Sequence, residues 1–183
     1  MNFNKYAIAF ALGTLSLGAN ASSVSGTLSD DTAKLNASLT IEPIEVEVGG
    51  LYLSEGGKSA YIGAMVVDKA DPIEVGVGVR VRAVEGDLGS GDSGYAMGLG
   101  GYYRYTIPQA NRVSLYASGY YYPGLFTYGD VKRQHEADLR IEYYATRNAR
   151  VYFSYNVIKV NFDDYNDKYT LDEGVNIGVS AYF

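Results

Sequence analysis

The chain has 183 residues, with 21 acidic against 15 basic side chains, one histidine, no cysteine, no tryptophan and 19 tyrosines. Without cysteine there is no disulfide framework, thiolate metal centre or thiol nucleophile. A net charge of −6 argues against a nucleic-acid partner, whose phosphates require a basic field. Tyrosine at this frequency suits a boundary between water and an apolar phase, which satisfies both its ring and its hydroxyl.

Residues 1–21 have the form of a secretory signal. Lys5 supplies the positive start, Tyr6 to Gly18 the apolar run, and Ala19-Asn20-Ala21 a small-residue cleavage site. The run falls short of the roughly 20 residues a spanning helix needs. Residues 22–183 therefore form the mature domain.

From there the chain alternates with period two, the mark of strands with two unlike faces. Ten strands are predicted, near 22–29, 34–41, 44–54, 58–67, 73–84, 95–107, 113–122, 133–145, 151–160 and 174–183. The first two are weakly marked, so eight is the lower count. Gly49-Gly50 shifts the parity between Val48 and Leu51 and suggests a bulge. In 73–84, Ile73, Val75, Val77, Val79 and Val81 alternate with Glu74, Gly76, Gly78, Arg80 and Arg82. Short turns at Glu42-Pro43, 68–72, 108–112 and 146–150 alternate with longer loops at 85–94, 123–132 and 161–173.

This pattern predicts an all-β fold: a closed, antiparallel, up-and-down transmembrane β-barrel in the bacterial outer membrane, with short periplasmic turns and longer outer loops. A soluble periplasmic sandwich is the competing architecture, because it too has one apolar face per strand. The secretory signal, the ions on the polar face and the tyrosines near strand ends favour the barrel. The chain closes on Asn176-x-Gly178-x-x-Ala181-x-Phe183. Gly178 and the terminal Phe183 are similar to the signal read by the barrel-assembly machinery, although Ala181 departs from the aromatic usual at its position.

The inward face is expected to carry an ionic network. Arg80, Arg82, Glu136 and Asp138 project to the outer half of the lumen, and Glu45, Glu47, Arg104 and Glu142 to the periplasmic half, with Arg140 on the same face. Both signs at each level allow pairing. Tyr102, Tyr116, Tyr120 and Tyr144 add bulk, whereas Gly76, Gly78, Gly98 and Gly100 thin the wall. The expectation is a largely plugged lumen with a structural or surface-interaction role, with a narrow channel for small solutes as the alternative.

Enzymatic chemistry finds little support. His135 shares parity with Ala137 and Leu139 and faces away from Glu136 and Asp138, so no hydroxyl–imidazole–carboxylate geometry assembles. The His-x-Ser pattern of barrel lipid A deacylases reads His135-Glu136-Ala137. The loop bearing Asp163, Asp164, Asp167, Asp172 and Glu173 has no calcium-loop spacing, and no cofactor or metal is expected. Arg133, His135 and Lys159 fall on the lipid-facing parity near the outer end, where basic groups suit lipopolysaccharide phosphates. The expected partners are outer-membrane lipid, lipopolysaccharide and the assembly machinery, around a monomer.

Gly94-Tyr95-Ala96 with Gly98-Leu99-Gly100-Gly101, Tyr120-Tyr121-Tyr122-Pro123, the Gln134–Glu142 strand and Val175 to Phe183 resemble the YfaZ family of bacterial outer-membrane barrels. The resemblance implies an outer-membrane location and brings no catalytic residues.

Overall fold

The computed structural model describes residues 22–54, 56–86, 93–162 and 169–183. The signal segment, most of the 85–94 loop and the acids Asp163, Asp164 and Asp167 lie outside the described residues. The long strands are β1 (Ser23–Leu28), β2 (Thr32–Ile41), β3 (Ile44–Leu53), β4 (Lys58–Ala70), β5 (Ile73–Glu85), β6 (Ser93–Thr106), β7 (Val113–Tyr122), β9 (Val131–Thr146), β10 (Ala149–Phe162) and β11 (Tyr169–Tyr182). A short β8 (Thr127–Gly129) sits between β7 and β9. Each long strand pairs antiparallel with its neighbours; β1 pairs with β11, and β5 with β6, which closes the ring of ten.

Both described termini and the turns after β2, β4, β6 and β9 share one end, and the longer connections share the other. In barrels of this class the short turns face the periplasm. β11 begins at Tyr169, five residues before the predicted start, so Asp172 and Glu173 belong to a strand. The 123–132 segment carries a one-turn 3-10 segment and β8, which pairs with Gly94–Ala96.

The expected bulge at Gly49-Gly50 is absent, because β3 keeps unbroken register with both neighbours. Its parity never changes: Glu45, Glu47, Gly49, Leu51 and Leu53 all face inward. Leu51 looked outward-facing only because the lumen turns apolar near its outer end.

The two faces are inverted relative to a soluble protein. Val77 is 71% exposed and Phe153 62% on the outside, whereas Arg82 is 2% exposed inside. An apolar wall of this kind is stable only against hydrocarbon, and closure of the ring pairs the strand edges with one another rather than with water. This excludes the sandwich and identifies an outer-membrane barrel.

The glycines do not thin the wall. Gly76, Gly100 and Gly178 lie opposite Tyr102, Tyr120 and Tyr152, and Gly49 opposite Tyr61, each beneath its partner's ring. Gly98 lies under Tyr122, whose ring approaches the site of a Cβ to 2.6 Å. The tyrosines accordingly divide: Tyr103, Tyr121 and Tyr143 face lipid, while Tyr102, Tyr120, Tyr122 and Tyr144 fill the interior rather than an interfacial girdle. Gly98→Ala should therefore cost about 1–3 kcal/mol through overpacking, read from the urea midpoint of the barrel in micelles. Gly26→Ala, where a Cβ meets nothing within 4 Å, should leave the midpoint within about 0.5 kcal/mol.

Candidate functional site

The lumen gathers most of the buried ionic side chains among the described residues. β5 ascends carrying Arg80 and Arg82 inward, and β9 descends carrying Glu136 to meet them. Arg80 donates to Glu136 at 2.7 Å and twice to Glu47, at 2.6 and 3.0 Å. Arg82 donates to the other Glu136 oxygen at 2.8 Å and to Ser59 Oγ at 2.9 Å. The Arg80 guanidinium is held between the Tyr61 and Tyr120 rings, 4.0 and 3.7 Å from their centroids. Such stacking suits a planar, weakly hydrated cation.

A second cluster lies nearer the periplasm. Arg104 bridges Glu74 and Glu142, each at 2.9 Å, and Arg150 reaches Glu142 at 3.3 Å. Tyr102 donates to Glu74 at 2.6 Å. Arg150 is stacked between Tyr144 and Tyr182, both at 4.3 Å. Between the clusters Arg140 forks onto one Asp138 oxygen at 2.6 and 2.9 Å, flanked by Tyr116 and Tyr152. Across the lumen Lys34 pairs with Asp172 at 2.5 Å, and Asp172 also accepts from Thr32 and Asn156. Glu45 accepts from Thr40 at 2.9 Å near the periplasmic mouth.

All nine expected lumen residues thus face inward. Glu47 departs from its expected level, because it joins Arg80 rather than Arg104. Barrel strands are tilted and staggered, so equal counts from the strand ends do not give equal heights. Sequence reasoning left out four members of the network. Glu74 lay on the recognised polar face of β5; Arg150 sat in a predicted turn, Asp172 in a predicted loop, and Lys34 on a weakly alternating strand. Among the described residues no group of three metal-ligating side chains converges.

A polar cavity of about 140 Å³ runs through this network, from Ser23, Ser38 and Tyr182 at the terminal end up to Leu51 and Ile158. It has room for roughly ten waters, at about 10–15 Å³ of such volume apiece. Above it the inward side chains turn apolar: Val84, Tyr122, Val131, Val160, Phe162 and Leu171 are buried in one cluster. Gln134 is fully buried at this level, and its amide has no hydrogen-bond partner among the described residues.

The rim residues also keep their expected face. On adjacent strands Lys159 lies opposite His135, and Asn161 opposite Arg133. Tyr121 stacks on His135 at 5.7 Å, and Lys159 pairs with Glu173 at 3.0 Å. His135 is thus outside the wall, with Glu136 and Asp138 inside.

Breaking a buried pair costs more than making it gains, because the remaining charge stays buried. Glu136→Gln, which strips charge compensation from Arg80 and Arg82, should lower stability by about 3–5 kcal/mol. Glu173→Gln, at an exposed pair, should leave it essentially unchanged. Urea midpoints of the two variants in micelles check the contrast.

The KdgM porin in complex with disordered oligogalacturonate aligns at 11% identity and TM-score 0.48, over 88% of this chain and 98% of its own. The outer membrane channel DcaP of Acinetobacter baumannii aligns at 11% identity and TM-score 0.44, over 87% of this chain and 54% of its own. OmpT, an outer membrane protein of Vibrio cholerae, aligns at 14% identity and TM-score 0.43, over 88% of this chain and 64% of its own. The chain thus spans less than two thirds of the last two, and at these scores the likenesses bear on no functional point. A search of curated proteins gave no match. The family model described as YfaZ precursor matches residues 1–183, and the chain, an outer-membrane barrel with an ion-linked lumen, belongs to that family.

Proposed function

We propose that this protein is a non-conducting outer-membrane barrel, made rigid by its salt-linked lumen and meeting the exterior through its long connections. One observation carries the reading. Tyr122, Val160 and Leu171 are 0% exposed across the outer part of the lumen, where a water-filled path would wet them. Barrels of this strand number have interiors only slightly wider than side chains can fill. The reading includes no enzymatic step: the single histidine lies on the lipid-facing side, away from the carboxylates of its own strand. It also includes removal of residues 1–21 on export, a monomeric state, and recognition of β11, with Gly178 and Phe183, by the assembly machinery.

A second reading, a gated path for small solutes, is favoured by Gln134. A fully buried amide without partners costs about 1–3 kcal/mol per unmet group, a cost that hydration in an open state would relieve. The polar cavity leads toward that residue. Beside it, the outer half of β6 is covered by β8 through only three pairs.

Planar-bilayer recording separates the two. The refolded barrel, residues 22–183, should insert without discrete current. Tyr122→Ala/Phe162→Ala should open steps of conductance that Arg80→Ala then alters. Discrete openings in the unsubstituted barrel would contradict the closed reading and establish the channel.

A further inference from the structure

We propose that the outer end of the β9–β10 pair is a binding site for the phosphate groups of an outer-leaflet glycolipid, that is, lipopolysaccharide. The proposal rests on the outer-membrane setting and not on whether the lumen conducts.

Outward-facing positions of the described strands are almost all apolar, and the exposed or partly exposed cations at their outer ends are Lys58, Lys132, Arg133 and Lys159, with Lys132 next to Arg133 at a register shift in β9. Lys58, at the outer end of β4, is matched by Glu85 at 3.0 Å. Arg133 and Lys159 instead lie diagonally across one strand pair, with His135 between them in the register. Diagonal neighbours on an antiparallel pair lie roughly 7–8 Å apart, within mutual reach of long side chains. Two such heads can grip one phosphate from either side, and Arg presents its donors in a fork that matches the oxygens.

The surroundings hold these groups in place. Glu173 pairs with Lys159 at 3.0 Å and accepts from Tyr155 at 3.1 Å, pinning the ammonium to the wall. Tyr121 lies flat against His135, with 6° between the ring planes. Arg133 is exposed and forms no ion pair with a described residue.

Height selects the ligand. Along β9 the outward residues from Tyr143 up to Ala137 are apolar, and Arg133 stands ten positions above Tyr143. At about 3.3 Å per residue and a tilt near 40°, that is roughly 25 Å along the membrane normal, the height of the apolar band of such barrels. The cations therefore sit at the upper edge of the hydrocarbon, with Leu139, Ile141 and Phe153 exposed to acyl chains beneath. A phosphate above apolar surface is the chemistry of a phosphorylated lipid, and free phosphate uses only the upper half of it.

The test measures lipopolysaccharide retained by refolded, immobilised barrel in micelles. Arg133→Ala/Lys159→Ala should retain roughly tenfold less, with an unchanged urea midpoint, while Lys58→Ala retains as much as the parent. Glu173→Gln, which releases Lys159 and removes the nearby acid, should retain more. Unchanged retention by the double variant would overturn the proposal, as would equal retention of dephosphorylated lipopolysaccharide. Displacement by inorganic pyrophosphate at equal phosphate concentration would assign the site to free phosphate and overturn the lipid assignment.

Discussion

An interior only a few side chains across leaves no room for an uncompensated charge, and the rest of this barrel is arranged around that constraint. Desolvating a guanidinium or a carboxylate costs several kcal/mol, which only close pairing and filled hydrogen-bond positions offset. Glu136 shows how the condition is met. Each of its oxygens receives a different arginine, Arg80 or Arg82, and Tyr122 adds a third donor at 3.2 Å. The three strands that supply these groups are joined through the lumen as well as through the wall.

The tyrosines make the pairing geometrically feasible, and the glycines make the tyrosines feasible. A ring laid across the inner wall needs the opposing residue to lack a Cβ, as Gly76 does for Tyr102 and Gly100 for Tyr120. The ring's hydroxyl then reaches an acid, Glu74 or Glu47, while its face receives Arg104 or Arg80. Glycine, tyrosine, arginine and carboxylate form a repeated unit on neighbouring strands. Nineteen tyrosines in one chain thus reflect the demands of the lumen as much as those of the membrane surface.

Much of the wall was legible in the sequence, because period-two alternation is a local property and survives any change in tilt. The rows Ile73–Val81 and Leu139–Tyr143 place their faces without further information. Pairing was less legible, since it depends on stagger between strands distant in sequence. Glu47 was assigned to the wrong level for that reason, and its partner Arg80 lies two strands away. The apparent bulge at Gly49 failed for a different one. Hydrophobic parity assumes a uniformly polar interior, and Leu51 and Leu53 enter an apolar layer that local pattern cannot announce. Asp172 was hidden by its acidic neighbours, which disguised the start of β11 as a loop.

On the proposed closed reading, water enters this lumen from the periplasmic end and stops beneath the Tyr122–Phe162 layer. A chain without cysteine allows this to be read directly by single-cysteine labelling with a water-soluble maleimide in oriented vesicles. Ser38→Cys, on the cavity wall, should react from the periplasmic side only, and Val160→Cys should react from neither. Labelling of Val160→Cys from either side, at a rate comparable with Ser38→Cys, would mean a continuous aqueous path and would contradict the account.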